Sequence, residues 1–156
     1  MLAINIPGGL EGAFTDLVLD YNGTLAEDGR LIKGVAERLT ALSDTLTVHV
    51  ITADTFGSAA TELAGLPVRL KILEPGTQDV AKAGFVHELG AAHTIAVGNG
   101  RNDALMLHTA ALGLAVIQAE GAAQITLAAA DVVVQSINDA LDLLLRPKRL
   151  TATLRN

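Results

Sequence analysis

Residues 16–24 read DLVLDYNGT, and the reading of this stretch decides the fold. Leu17-Val18-Leu19 is an unbroken apolar run, of the kind buried on both faces of a parallel sheet. It delivers Asp20 to a strand's C-terminal tip, where Asn22-Gly23-Thr24 turns the chain sharply. A carboxylate placed there suits catalysis. An amide two residues later is the unexpected feature.

Outward from this strand, apolar runs alternate with helical patterns. Further strands are expected at Leu46–Ile51, Val68–Leu73, Thr94–Val97, Leu114–Ile117 and Val132–Val134. Between them the spacing predicts helices at Lys33–Ser43, Asp54–Ala64, Thr77–Leu89, Arg101–Ala111, Gly121–Ala129 and Ile137–Leu145. Alternation this regular implies right-handed βαβ crossovers and an α/β fold, a doubly wound, Rossmann-like parallel sheet flanked by helices. Ligands of such sheets lie outside the carboxyl ends of the strands. Asp20, Thr52 and the run Gly98–Asp103 all fall there.

Composition narrows the possibilities. The 156 residues suit one core domain, placed at 1–146, with a basic tail at 147–156. Half of the chain is hydrophobic but only 3% is aromatic, so Ala, Leu and Val must fill the core. The absence of cysteine excludes disulfides, thiolate zinc sites and a cysteine nucleophile. A net charge of −6 argues against non-specific nucleic-acid binding, which needs a basic surface. No segment approaches the ~20 apolar residues of a membrane span, and MLAINIPGG lacks the pattern of a secretory signal. No membrane association and a cytoplasmic location are therefore expected. His49, His87, His93 and His108 are scattered without zinc-ligand spacing. Arg146, Lys148, Arg149 and Arg155 make the tail basic, and it reads as a solvated docking segment in preference to a ligand site.

Four patches fall at predicted strand ends, in this order: Asp20-Tyr-Asn-Gly-Thr24; Thr52-Ala-Asp54; Pro75 with Lys82, Val86 and Leu89; and Gly98-Asn-Gly-Arg-Asn-Asp103. Together they resemble the four motifs of the haloacid dehalogenase-like (HAD) hydrolases, nearest to the phosphorylation domain of P-type ATPases. The resemblance spans roughly residues 15–135. It implies phosphohydrolase or phosphotransferase chemistry through an aspartyl-phosphate on Asp20, with catalytic roles also at residues 22, 52 and 82. Thr52 would donate its hydroxyl to a phosphate oxygen, and Lys82 would neutralise nucleophile and phosphate. Phosphate would be met by Asn22, Gly23, Thr24, Thr52, Ala53, Lys82 and Asn102. The implied cofactor is Mg²⁺, held by Asp20, the carbonyl of Asn22, Asn99 and Asp103. For Arg101 and Asn102 a helix-start role stays equally open, and Asp54 either orients the second motif or caps a helix.

Two departures from the motifs matter. Phosphatases of this family carry a second aspartate where this chain has Asn22, and an aspartate where it has Asn99. Asn22 cannot act as general acid or base, a contribution usually worth roughly 10²–10⁴ in rate. A slowly hydrolysed phosphoenzyme fed by good leaving groups is one reading. A catalytically weak phosphate-binding or regulatory module is the other, in which both Asn-Gly pairs serve turn shape alone. Only 27 residues separate Thr24 from Thr52, and 29 separate Thr52 from Lys82. Neither interval accommodates a substrate-selecting cap. An open site calls for a phosphoprotein substrate, or for a small phosphorylated substrate covered by a second subunit. A homo-oligomer is expected.

Overall fold

The run at 17–19 lies where its composition requires, at the centre of a six-stranded parallel sheet. The structure, a computed structural model, describes residues 1–54 and 57–156. An antiparallel hairpin, β1 (Leu2–Asn5) and β2 (Glu11–Phe14), leads into β3 (Asp16–Asp20). A small hairpin, β4 (Ala26–Glu27) and β5 (Arg30–Leu31), precedes α1 (Val35–Leu42). Then come β6 (Thr47–Thr52), α2 (Ser58–Glu62), β7 (Arg69–Ile72), α3 (Gln78–Leu89) and β8 (Thr94–Gly98). The chain ends with α4 (Ala104–Thr109), β9 (Leu112–Val116), α5 (Gln124–Ala129), β10 (Val132–Val134), α6 (Ile137–Leu145) and α7 (Pro147–Leu154).

Strand order is β10-β9-β8-β3-β6-β7. From β3 the chain winds outward through β6 and β7, then returns to lay β8 against the other side of β3. The order thus reverses between β3 and β8, and a crevice opens at their carboxyl ends, the usual ligand position of such sheets. Between β3 and β6 the described residues hold only the small hairpin and α1, so no cap domain intervenes. Among the described residues no helix is long and apolar enough to cross a membrane.

Side chains alternate across the sheet with period two. Leu17, Leu19, Ile95, Val97, Leu112 and Leu114 face α1, α6 and the first hairpin. Val18, Ala96 and Ala115 face α3 and α4 on the other side. That second face is built from small residues, and α4 approaches it closely. A Cβ added to Gly113 would meet the carbonyl oxygen of Leu107 at 2.6 Å. Close backbone approach fills this layer beside β9.

The helices follow their apolar stripes. Val35, Leu39 and Leu42 are buried on α1 at helical spacing, and Ile137, Ala140, Leu141 and Leu144 on α6. Ser136 caps α6 by accepting the N–H of Asp139. Arg38 bridges the two helices, with Nε on Asp142 Oδ1 at 2.9 Å and a second guanidinium nitrogen on Oδ2 at 3.1 Å.

Several elements differ from the sequence reading. Both hairpins escape it: β1 and β2 flank a Pro-Gly-Gly turn, and β4 and β5 have two residues each. The helix expected over Asp54–Ala64 is shorter, with Thr55 and Phe56 outside the described residues. The segment 101–111 divides into a 3₁₀ turn at 101–103 and α4. The helix expected from Gly121 starts at Gln124, because Gly121 sits in the left-handed region at φ 71°. Residues 147–154 form a helix with Leu150 fully buried, anchored by the Thr151 hydroxyl on the carbonyl of Asn5. The basic segment is thus packed into the fold.

Two glycines test the packing in opposite directions. Gly113→Ala is expected to cost about 1–3 kcal/mol through backbone clash, seen as a Tm lower by several degrees. Gly84→Ala, inside α3 with open space around it, is expected to stabilise by about 0.5–1 kcal/mol. Paired thermal melts check both signs.

Candidate active site

Four chain segments meet at the β3–β8 crevice around a cavity of 260 Å³. It is lined by Asp20, Asn22, Thr52, Ala53, Gln78, Lys82, Asn99, Gly100 and Asn102. Strand ends deliver Asp20 and Thr52, the loop after β8 brings Asn99 and Gly100, and the first turns of α3 supply Gln78 and Lys82. Of the residues singled out in the sequence, Gly23, Thr24 and Asp103 lie behind this lining, and Arg101 is exposed.

Lys82 is the centre of the arrangement. Its Nζ donates to Asp20 Oδ1 at 2.8 Å, to Asp103 Oδ1 at 2.7 Å and to Asn102 Oδ1 at 3.3 Å. Three protons meet three oxygens, so the ammonium is satisfied although it is 1% exposed. Asn102 in turn donates to Gln78 Oε1 at 2.9 Å. Burial alone depresses the Lys82 ammonium, but Asp20 and Asp103 outweigh it and hold its pKa above the usual lysine value.

Asp103 is fully buried with both oxygens engaged. Oδ1 takes Lys82, and Oδ2 accepts the backbone N–H groups of Asn99 at 3.0 Å and Gly100 at 2.9 Å. Its carboxylate is therefore a scaffold for lysine and loop, where the sequence reading set it beside a cation. The phosphate contacts expected at Gly23 and Thr24 find their backbone N–H groups already occupied. The N–H of Gly23 donates to the carbonyl of Ala26, and that of Thr24 to the carbonyl of Tyr21. Both groups are spent inside the turn. A planar trans peptide points C=O and N–H in opposite directions. Aiming the Gly23 N–H at Ala26 thus aims the Asn22 carbonyl the other way.

Thr52 is nearly buried, and its hydroxyl accepts the N–H of Asp54 at 3.1 Å. With that lone pair occupied, its proton is directed elsewhere. Asp54 also accepts the N–H of Ala59 at 3.0 Å, so it both orients Thr52 and caps α2.

Asn99 is held as an amide. Its Nδ2 donates to the carbonyl of Gly121 at 3.0 Å, and its Oδ1 accepts the Thr24 hydroxyl at 3.1 Å. Gly23 does need glycine's freedom: its φ is 76°, and an added Cβ would meet the Asn99 amide. Gly100 has φ −83°, so the second Asn-Gly pair is not explained by a glycine-only turn.

Asp20 and Asn99 supply the oxygens that could hold a cation. The Thr24 hydroxyl lies 3.5 Å from Asp20 Oδ2 and 3.1 Å from Asn99 Oδ1, so both converge on one group with a single proton. The Asn22 carbonyl would complete an all-oxygen set whose one formal charge is the Asp20 carboxylate. That chemistry fits a hard divalent cation such as Mg²⁺, which takes one or two carboxylates beside water and phosphate. Among the described residues no cluster of three or more His, Cys, Asp or Glu side chains is placed to hold a metal. Backbone and amide oxygens must make up the set.

Burial, and next to it the charge of Asp103, push the Asp20 carboxyl up to about 7 against the opposing pull of Lys82. A raised acid contributes stability that is complete below its unfolded value near 4 and is lost as pH climbs through 7. In EDTA, Asp20→Asn removes this loss. It should melt higher than wild type, by a margin that grows from pH 5 to pH 8. A margin that shrinks over that range would contradict the assigned electrostatics.

No protein-family model matches the chain. MJ0073, an uncharacterized protein of Methanocaldococcus jannaschii, is 47% identical over 85 residues, which make up 91% of that protein and 52% of this chain. Among solved structures, a chain described as a HAD family hydrolase from Streptomyces avermitilis matches with TM-score 0.67 at 18% identity, covering 98% of this chain and 88% of that one. The 3-deoxy-D-manno-octulosonate 8-phosphate phosphatase of Moraxella catarrhalis, in complex with magnesium ion, phosphate ion and KDO, matches with TM-score 0.71 at 15% identity over 91% of this chain and 94% of that one. The chain therefore belongs to one family with MJ0073 and is built on the haloacid dehalogenase-like hydrolase fold.

Proposed function

We propose that the chain is a Mg²⁺-dependent phosphohydrolase or phosphotransferase that works through an aspartyl-phosphate on Asp20. The observation that carries this reading is the convergence of Asp20, Thr52, Lys82 and Asn99 on one cavity at the crevice of the sheet. The phosphatase relative in fold, complexed with magnesium and phosphate ions, supports it.

Phosphoryl transfer asks mainly for positioning and charge stabilisation. Asp20 Oδ2, Asn99 Oδ1 and the Asn22 carbonyl would hold Mg²⁺, which supplies charge neutralisation for the phosphoryl oxygens. Asp20 Oδ1, steered by Lys82, attacks phosphorus as the bond to the leaving oxygen breaks. Thr52 donates its free proton to one phosphoryl oxygen, and Lys82 shifts towards another. Water then attacks the acyl phosphate, the Asp20–phosphorus bond breaks, and inorganic phosphate departs. A hydroxyl acceptor in place of water makes the step a transfer.

Among the described residues no carboxylic acid other than Asp20 lines the cavity. No second acid therefore stands at the phosphoryl group itself, which favours good leaving groups such as acyl and aryl phosphates. The attacking water also lacks a base, so the phosphoenzyme is long-lived. The rest of the substrate would lie in a neighbouring cleft that shares Asn22 and is lined by Asp28, Gly29, Arg30, Ser58, Glu62 and Glu120. A small phosphorylated compound or a phosphoprotein segment fits this opening, and a second copy of the chain is the expected cover.

Asparagine at both motif positions supports a second reading, a phosphate-binding module with little turnover. Acetyl phosphate with Mg²⁺ separates the two. The enzyme reading expects turnover and acid-quenched label on Asp20, both lost in Asp20→Asn. Beryllofluoride binding without turnover would support the module instead. For the enzyme, Asn22→Asp should speed dephosphorylation by roughly 10²–10⁴, followed as decay of the labelled protein.

A further inference from the structure

We propose that Gln118, outside all four motifs, is a positioning residue for the nucleophile turn; its effect on turnover rests on the enzyme reading above. Gln118 lies in the loop after β9, half-buried. Its Nε2 donates to the carbonyl of Gly23 at 3.0 Å and to that of Thr24 at 2.6 Å. Its Oε1 accepts the N–H of Ile137, the first residue of α6, at 2.9 Å. Both amide protons and one lone pair are used. The opposite orientation would set an oxygen against two carbonyls, so the ring of partners fixes which way the amide faces.

The turn needs this grip. Its N–H groups at Gly23 and Thr24 are closed onto Ala26 and Tyr21, and the two carbonyls facing outward are the ones Gln118 holds. Fixing those peptide planes fixes the Thr24 hydroxyl against Asp20 and Asn99. The neighbouring 22–23 peptide, which carries the Asn22 carbonyl, is held by the Gly23 N–H on Ala26.

The same loop grips the opposite side of the site. The carbonyl of Gly121 accepts Asn99 Nδ2 at 3.0 Å, and the N–H of Ala123 donates to the carbonyl of Asn99 at 2.9 Å. Just beyond, the Thr126 hydroxyl donates to the carbonyl of Gly100 at 2.6 Å. Residues 118–126 thus form a strap that sets the nucleophile turn in register with Asn99, and Gln118 is its tie to the turn. A misplacement of about 1 Å at such a site costs roughly 10²-fold in rate.

Side-chain chemistry separates positioning from general stability. Gln118→Met removes every bond. Gln118→Lys keeps a donor for the two carbonyls but cannot accept from Ile137. With acetyl phosphate, Gln118→Met should lose roughly 10–100-fold in kcat, with KM within about threefold of wild type, while Gln118→Lys recovers most of kcat. Circular dichroism confirms that each variant is folded during the assay. Wild-type kcat in Gln118→Met, or equal loss in both variants, would overturn the proposal. Amide hydrogen exchange supplies a readout independent of turnover. Residues 21–26 should exchange at least about tenfold faster in Gln118→Met than in Gln118→Lys, with β3 protected in both. An inactive wild type with that exchange pattern defeats the enzyme reading alone. Unchanged exchange at 21–26 defeats the role of Gln118.

Discussion

One buried ammonium organises this protein's chemistry. Lys82 reaches the carboxyl ends of the central strands from α3 and binds two carboxylates and an amide oxygen, nearly cut off from water. Asp20 and Asp103 share that single positive charge, and burial, with the charge of Asp103 next to it, holds the Asp20 carboxyl above the usual carboxylate range. Removing the ammonium from such a buried set typically costs about 3–5 kcal/mol, because Asp20 and Asp103 are left facing each other uncompensated. The position of α3, the loop after β8 and Asp20 are therefore linked through one nitrogen. A reacting phosphoryl group would enter an environment whose charges are already ordered.

The sheet makes that meeting possible. Residues 20 and 82 are far apart in sequence, and only the reversal of strand order between β3 and β8 opens the crevice where they join. The small-residue face at Ala96, Gly113 and Ala115 lets α4 lie close. The loop leading into α4 can then place Asp103 behind Lys82. Core composition and active-site geometry are one problem here: bulk at those positions would push the fourth patch out of reach.

Much of this was legible in the sequence. The apolar runs at 16–20, 46–51 and 94–97 announced the central strands, and Asp20, Thr52, Lys82 and Asn99 belonged to the four patches that the structure gathers at the crevice. The destinations of backbone groups were not legible. Nothing in the run of letters says that Gly23 and Thr24 turn their N–H groups inward, or that Asp103 spends both oxygens on lysine and loop. Gln118 was missed because its partners are main-chain carbonyls 94 and 95 residues away, which leave no side-chain signature. Residues 121–123 read as the start of a helix because alanines follow, while Gly121 in the left-handed region holds the stretch open. The hairpins escaped because β4 and β5 are too short to show alternation.

The hydrogen bonds at the two asparagine–glycine junctions also govern chemical ageing. Deamidation through a cyclic imide requires the glycine nitrogen to swing onto the asparagine side chain. In the folded chain the Gly23 nitrogen is tethered to Ala26 and the Gly100 nitrogen to Asp103. Both junctions are shielded while the fold persists and become vulnerable once it opens. Unfolding would thus write a permanent negative charge into positions 22 and 99, both at the crevice of the sheet.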